Sequence, residues 1–262
     1  MDFSLRIVYH ITKSHFLDQK EVKEIMLLFS QIFALLCSVF VPAGAAIWIA
    51  LHYEGKWKIM LLGALTYIIF NIALFLPIVS MVTSFDPVSA WISTHPAAWM
   101  LLIALLTVVL AELFRYLVIS LFIKYDTTSL DAVSFGLGYG GFQTAMSVGV
   151  NVLISIILSS YIAKEGATAA LMAEGVGQLC LIVMQIGWTF LIMQAISTKK
   201  IQYFFVCVGL EFAVSALSSL GQNLWHWNIW VLLLIMFIFA LLAGMYISQE
   251  FKIEQKTKSS GK

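Results

Sequence analysis

Apolar runs long enough to cross a bilayer recur along this chain from residue 25 almost to the C-terminus. The hydrocarbon core of a membrane is spanned by a helix of about 20 predominantly apolar residues. Seven segments meet that length, namely residues 25–51, 57–82, 98–123, 130–162, 176–196, 201–220 and 228–247. The sequence therefore predicts an all-α fold, a polytopic membrane bundle with seven transmembrane helices.

Composition supports a membrane protein and excludes several other classes. The chain has 262 residues, of which 61% are hydrophobic and 11% are charged, whereas about a quarter of a soluble domain is charged. Its basic residues lie in short loops and tails and not along one face, so nucleic acid is not expected as a partner. Membrane lipid is the expected surrounding. Three cysteines in apolar segments have no metal-ligand spacing and are interpreted as packing residues: Cys37, Cys180 and Cys207.

The apolar runs form one integral domain, residues 25–248, between a polar N-terminal tail, 1–24, and a basic tail, 249–262. The stretch 165–178 is predicted to be an outer loop or a short interfacial helix. With seven spans, most loop lysines fall on the same side as the C-terminal tail, which the positive-inside rule places in the cytoplasm. The chain is thus predicted to lie in the cell membrane with its N-terminus outside. The sequence makes no prediction of oligomeric state.

Two charged residues interrupt the third apolar run. Glu112 and Arg115 are three residues apart, so on a helix they share one face and can reach each other. Ionised side chains in the middle of a bilayer are costly and indicate a functional site by default. The pair is either a catalytic or ligand-binding pair, or a buried ion pair that fixes helix register.

Other polar side chains are expected at a similar depth. At 1.5 Å per residue, Glu112, Tyr139, Gln143 and Glu211 lie about 12 to 18 Å from the presumed cytoplasmic ends of their spans, and Ser215 lies one turn beyond Glu211. Burying each group separately in lipid would be costly. The sequence predicts one interior cavity lined by Glu112, Arg115, Tyr139, Gln143, Glu211 and Ser215, with Asn71 and Gln185 as outer members.

Glu211 has no cationic neighbour in its own span. Either Arg115 serves two carboxylates, or Glu211 is protonated. A carboxyl group that holds a proton in the middle of the membrane could relay protons in a transporter.

The fourth run is rich in glycine. Gly136, Gly138 and Gly141 spell GxGxxG, but a nucleotide site needs a preceding strand and a solvated helix N-terminus. Small residues four apart instead favour close helix approach. The predicted packing residues are Ser134, Gly136, Gly138, Gly140 and Gly141.

Histidine ligands for a metal are poorly placed in this sequence. All five histidines fall in tails, loops or span ends: His10, His15, His52, His95 and His226. No HExxH or comparable spacing occurs, so a zinc site built from these histidines is not expected.

The segments AELFRY, 111–116, and SFGLGYGGFQ, 134–143, followed by a polar position in a later span, resemble the YhfC family of predicted bacterial intramembrane metalloproteases. That family is placed within the wider CAAX-protease and bacteriocin-processing superfamily. Residues 41–74 are similar to its first two spans. The resemblance implies three motifs: Glu-Glu-x-x-Arg, Gly-His-Gly-Gly-x-Glu and a later histidine. The first motif falls here on Ala111, Glu112 and Arg115. The second falls on Gly138, Tyr139, Gly140, Gly141 and Gln143, and the third falls on Glu211.

The resemblance implies a zinc ion held by histidines and a glutamate that activates water. Tyr139 and Gln143 are poorer zinc ligands, and Glu112 with Glu211 would be opposed by Arg115. The chain is therefore interpreted as a degenerate relative without a cofactor, a binding or scaffold protein for a transmembrane helix or peptide. The alternatives are an active zinc protease with Glu112 as the catalytic base, and a small proton-coupled transporter that uses Glu211.

A shorter resemblance points in the same direction. The seven-span scaffold subunit of gamma-secretase has a Glu-x-Phe-Arg stretch like residues 112–115, followed by a helix rich in small residues. That subunit is a scaffold and not a protease. The match is short and counts as an analogy.

Overall fold

The structure is a computed structural model that describes residues 21–123, 127–157 and 167–260. These residues are helical between short connections, and none of them is in a strand. In chain order the helices are α1 (Glu21–His52), α2 (Lys56–Thr83), α3 (Asp86–Thr94), α4 (Pro96–Phe122), α5 (Ser129–Ile157), α6 (Ala167–Thr198), α7 (Gln202–Asn223) and α8 (Ile229–Ser260).

Within the described residues, seven helices are long and apolar enough to cross a membrane. This confirms the predicted all-α membrane bundle. The short helix α3 joins α2 to α4 and was not predicted. Helix α8 continues to Ser260, through most of the predicted tail 249–262. Residues 1–20 of the predicted N-terminal tail and 158–162 of the predicted fourth run lie outside the described residues.

The start of α6 corrects one prediction. The helix begins at Ala167 and not at residue 176, so the described part of the stretch 165–178 is neither a loop nor a separate interfacial helix. Alanine, leucine and methionine give this segment a high helix propensity. Leu171 and Gly175 are buried, and the backbone at Gly175 lies against the ring of Phe33 in α1. Packing against α1 therefore extends the helix beyond its most apolar part.

The starts of α2 and α5 meet the end of α8 at one end of the bundle. Lys56 Nζ lies 2.6 Å from Asp131 Oδ1, and Asp131 also forms a capping box with Thr128 at the start of α5. The backbone N–H of Ser129 donates to Glu254 Oε2 at 2.9 Å. We call the end of the bundle where α2, α5 and α7 begin the basic end, and the opposite end the far end.

Helix α6 is the centre of the bundle. In the most apolar 18-residue stretch of α6, 72% of the residues are buried, against 17% to 33% in the corresponding stretches of the other six membrane helices. It packs against α5 and α8 most extensively, and against α7, α4 and α1 as well. A polar side chain on α6 is therefore surrounded by several helices and must find its hydrogen-bond partners there.

Glycines bring α5 close to α2. A Cβ atom on Gly138 would overlap the carbonyl oxygen of Met60, and one on Gly63 would overlap the carbonyl oxygen of Phe135. Contacts of this kind bring two helix backbones together, and any side chain at these positions would force them apart. The two glycines belong to opposite helices, so the contact depends on small residues from both sides.

The same helix approaches α6 and α1 through further small residues. A Cβ on Gly136 would lie 2.6 Å from Ile186 Cα, and one on Gly140 would lie 2.9 Å from Gln185 Cβ. Gly141 faces Pro42 of α1, and Ser134 is fully buried. The glycine-rich half of α5 is thus enclosed by three helices.

Three membrane helices contain wide π-helical turns: Leu36–Phe40 in α1, Ile68–Phe75 in α2 and Ala145–Gly149 in α5. The turns in α1 and α5 lie side by side, where the Thr144 hydroxyl donates to the carbonyl oxygen of Ser38 at 2.9 Å. Such turns are rare in proteins as a whole, and those that do occur are often found at functional sites.

Candidate functional site

An ion pair lies in the interior of the bundle. Glu112 and Arg115 of α4 are both 0% exposed, and Arg115 Nη1 lies 3.2 Å from Glu112 Oε1. Charges removed from water are tolerated when they are paired and hydrogen-bonded. The three-residue spacing on α4 therefore produces the contact that the sequence predicts.

Gln185 of α6 connects this pair to α7. Arg115 Nη2 donates to Gln185 Oε1 at 2.5 Å, and Gln185 Nε2 donates to Glu211 Oε1 at 3.2 Å. One amide thus accepts from the cation and donates to a second carboxyl group. The carboxyl groups of Glu112 and Glu211 thus both lie near a single guanidinium, the first in direct contact and the second through the Gln185 amide.

Tyr139 of α5 completes the surroundings of the arginine. The guanidinium carbon of Arg115 lies 4.2 Å from the centroid of the Tyr139 ring, within the range of a cation–π interaction. Asn71 Nδ2 of α2 donates to the Tyr139 hydroxyl at 3.2 Å. Five helices, α2, α4, α5, α6 and α7, therefore contribute to one polar cluster.

Cys207 belongs to this cluster, although its position in an apolar segment predicted a packing role. Its Sγ donates to Glu112 Oε2 at 3.4 Å, and the side chain is fully buried. Cys207 precedes Glu211 by four residues, so the two share a face of α7. That spacing was a sequence signal for a second polar group directed at the same point.

Among the described residues, two of the predicted cavity residues make no hydrogen bond to the cluster. Gln143 is half-buried, and its Oε1 has no hydrogen-bond partner among the described residues. Ser215 is half-buried as well and makes no hydrogen bond to the cluster within the described parts of the chain. Gln185 and Asn71, expected as outer members, instead make hydrogen bonds inside it. Glu112, Arg115, Tyr139, Gln185 and Cys207 are buried, whereas Asn71 and Glu211 at the edge of the cluster are half-buried.

The residues present do not fit a zinc centre. Within the described ranges, no group of three or more histidine, cysteine, aspartate and glutamate residues could hold a metal ion. His52 at the end of α1 is exposed, as are His95 and His226 in connections between helices, and His10 and His15 lie outside the described residues. A zinc ion at Glu112 would share that carboxylate with the Arg115 cation at short range, which like-charge repulsion opposes.

The model of the YhfC intramembrane metalloprotease family matches residues 37–182, more than half of this chain. The chain belongs to the YhfC family. A curated relative, described as the uncharacterized membrane protein YhfC of Bacillus subtilis (strain 168), is 26% identical over 144 residues. That alignment covers 55% of this chain and 55% of the relative, so the chain spans about half the length of the relative it matches. No solved structure matches the chain.

The YhfC match covers the part of the bundle that carries Glu112, Arg115, Tyr139 and Asn71. It ends at residue 182, before Gln185, Cys207 and Glu211 of the same cluster. The resemblance to the YhfC family is therefore confirmed. The resemblances to the CAAX-protease superfamily and to the gamma-secretase scaffold stay predictions.

Proposed function

We propose that this YhfC family member is a binding or scaffold protein for a membrane-embedded polypeptide and has lost proteolytic activity. The observation that carries the proposal is the position of Arg115, which contacts Glu112, Gln185 and the Tyr139 ring at once. The arginine belongs to the family motif as well, but the residue beside it at the position of the motif histidine is Tyr139, whose ring lies against the guanidinium.

The partners of Tyr139 support the loss of metal chemistry. This residue stands where the family motif has histidine. Its hydroxyl is engaged by Asn71, and its ring lies against the Arg115 guanidinium. A neutral phenol is a weak zinc ligand beside imidazole or thiolate. The arrangement instead resembles a buried polar network that fixes how helices pack.

Metal analysis of the purified full chain tests the proposal. We expect far less than one zinc per chain after dialysis against zinc-containing buffer, and the same content in Glu112→Gln. Glu174→Gln, which alters an exposed glutamate of α6, is the matched control. One zinc per chain that is lost in Glu112→Gln and kept in Glu174→Gln would overturn the proposal. That result would favour the active zinc protease with Glu112 as base.

A second candidate function is a proton-coupled transporter. The observation that favours it is the excess of carboxyl groups, because Glu112 and Glu211 lie near one guanidinium and a proton shared by them would balance the charge. Proton flux into liposomes containing the chain, measured with a pH-sensitive dye, tests this candidate. Flux equal in wild type and Glu211→Gln would eliminate it.

We propose further that the protein lies in the cell membrane with its basic end in the cytoplasm. Lys56 and Lys58 begin α2, and Lys199 and Lys200 lie between α6 and α7, so these loops carry the positive charge that marks the cytoplasmic side. A reporter that is active only in the cytoplasm should be active when it is fused after residue 262. Activity of a reporter that works only outside the cytoplasm, fused at the same point, would contradict this orientation.

A further inference from the structure

A row of polar side chains leads out of the bundle along α5. Gln143, Ser147 and Asn151 follow Tyr139 at four-residue intervals toward the far end. Tyr139 is buried, Gln143 is half-buried, and Ser147 and Asn151 are exposed. The row therefore begins at the cluster and reaches the surface within about three turns, or about 18 Å.

Helix α6 supplies the other side of this surface. Ser147 Oγ donates to Gln178 Oε1 at 3.3 Å, and Asn151 Nδ2 donates to the Ser147 carbonyl oxygen at 2.6 Å. Glu174 lies one turn from Gln178 toward the far end and is exposed. We call these five residues the polar strip: Gln143, Ser147, Asn151, Gln178 and Glu174.

The strip lies on helices that are long and apolar enough to cross a membrane. Its neighbours on α5, Met146, Val150 and Ile154, are exposed apolar side chains, which is the pattern expected of a face in contact with lipid. Acyl chains offer no hydrogen-bond partner, so exposed amides among them are unfavourable. Gln143 Oε1 is buried and has no partner among the described residues. An occupant that can form hydrogen bonds would satisfy Gln143 Oε1 and the exposed polar atoms of the strip.

We propose that the polar strip binds a transmembrane helix of a partner protein. The helix carries an asparagine, glutamine or similar side chain opposite Gln178 and a basic residue opposite Glu174. Charge complementarity at Glu174 selects the basic residue, and the small Ser147 side chain allows a second backbone to come close. This inference rests on the proposed function, because it assigns the surface by which the polypeptide is bound.

A synthetic probe helix tests the proposal. The full chain is labelled with a fluorescence donor and reconstituted in phosphatidylcholine vesicles with an acceptor-labelled peptide. The peptide consists of leucines, with one asparagine in its far-end half and one lysine at its far-end boundary. Two control peptides replace asparagine with leucine, or lysine with glutamate. We expect energy transfer with the first peptide, and association weaker by about three- to tenfold for each control, the range of interhelical hydrogen bonds in membranes.

Variants of the chain locate the contact. Gln178→Leu and Glu174→Gln should weaken association of the asparagine–lysine peptide by a similar factor, whereas Met146→Leu, on the exposed apolar face beside the strip, should leave it unchanged. Equal association of all three peptides, or wild-type association by both strip variants, would overturn the proposal. Energy transfer between two copies of the chain that Gln178→Leu abolishes would overturn it in favour of self-association.

Water is the alternative to a partner helix as the occupant of the polar strip. A strip that faces acyl chains should leave Ser147→Cys unlabelled by a hydrophilic maleimide, whereas labelling that the probe peptide does not reduce would show a water-filled strip and contradict the proposal. The native cysteines are buried and serve as the unlabelled background. Zinc bound at Glu112 would refute the proposed function without affecting peptide association at the strip, so the two failures are distinguishable.

Discussion

The guanidinium carbon of Arg115 lies 4.2 Å from the centroid of the Tyr139 ring, so a cation of α4 is held against an aromatic face of α5. The terminal nitrogens of the guanidinium contact oxygens of two other side chains, Nη1 that of the Glu112 carboxylate and Nη2 that of the Gln185 amide. In the low dielectric of a membrane protein, each of these contacts is stronger than in water. The arginine is therefore the residue whose contacts hold the cluster together.

Substitutions at Tyr139 separate its two contacts. Tyr139→Phe keeps the ring beneath Arg115 and loses only the hydrogen bond from Asn71, so we expect a loss of about 1 kcal/mol in the free energy of unfolding. Tyr139→Leu loses the cation–π interaction as well and should cost about 2 kcal/mol more. Titration of the detergent-solubilised protein with a denaturing detergent, followed by circular dichroism, measures both. Equal costs for the two variants would contradict a role for the ring.

Breaking the ion pair should be more harmful than removing it. Glu112→Leu leaves the Arg115 charge buried and only partly compensated, with an expected cost of about 3–5 kcal/mol. In the double variant Glu112→Leu and Arg115→Leu, this uncompensated charge is absent, so the total cost should be smaller than the sum of the two single costs. The same unfolding titration gives all three values. Strict additivity would show that the two side chains do not interact.

Gln185 should contribute more than other amides of the same helix. Gln185→Leu removes the acceptor of Arg115 and the donor of Glu211 together, and hydrogen bonds to charged groups contribute about 1.5–3 kcal/mol each. Gln178→Leu, an equal change of side chain at a half-buried site on α6, is the control and should cost less than about 1 kcal/mol. A smaller effect at Gln185 than at Gln178 would be inconsistent with a bridging role.

Glycine substitutions on α5 test the close helix contacts. Gly138→Ala would bring a methyl group into the Met60 carbonyl oxygen, and Gly140→Leu would press on Gln185. We expect both to lower the thermal unfolding temperature by several degrees, because overpacking costs about 1–3 kcal/mol or more. At Gly209 of α7 a Cβ would meet nothing within 4 Å, so Gly209→Ala should be neutral or stabilising. Wild-type stability of Gly138→Ala would contradict the contact.

The sequence could predict the bundle and part of its interior because lipid imposes simple rules on length and depth. Glu112, Arg115, Tyr139 and Glu211 share a depth, and each is costly to leave in lipid. Their proximity therefore followed from counting residues. Gln143 has the same depth, but it is half-buried and its Oε1 has no hydrogen-bond partner among the described residues. Depth fixes the level of a residue in the membrane and leaves open its direction around the helix axis.

The members that sequence analysis placed at the edge or missed depend on which helix lies in the centre. Gln185 bridges Arg115 and Glu211 because α6 is enclosed by other helices. The hydropathy of a sequence does not determine which of its helices lies in the centre of the bundle. Cys207 is apolar enough to be interpreted as a packing residue. Its four-residue spacing from Glu211 places both residues on one face of α7, but the sequence does not show that this face is directed at the cluster.

The wide turn at Ala145–Gly149 separates two surfaces of α5 that face in different directions. Toward the basic end the helix presents glycines to its neighbours, whereas Ser147 within the turn and Asn151 beyond it are exposed. One residue of helix corresponds to a rotation of about 100°. Deleting a single residue here would leave the glycine contacts in register and turn Asn151 by about 100° around the axis of α5. A length change of one amino acid can thus give relatives of this protein the same bundle and a different outward face.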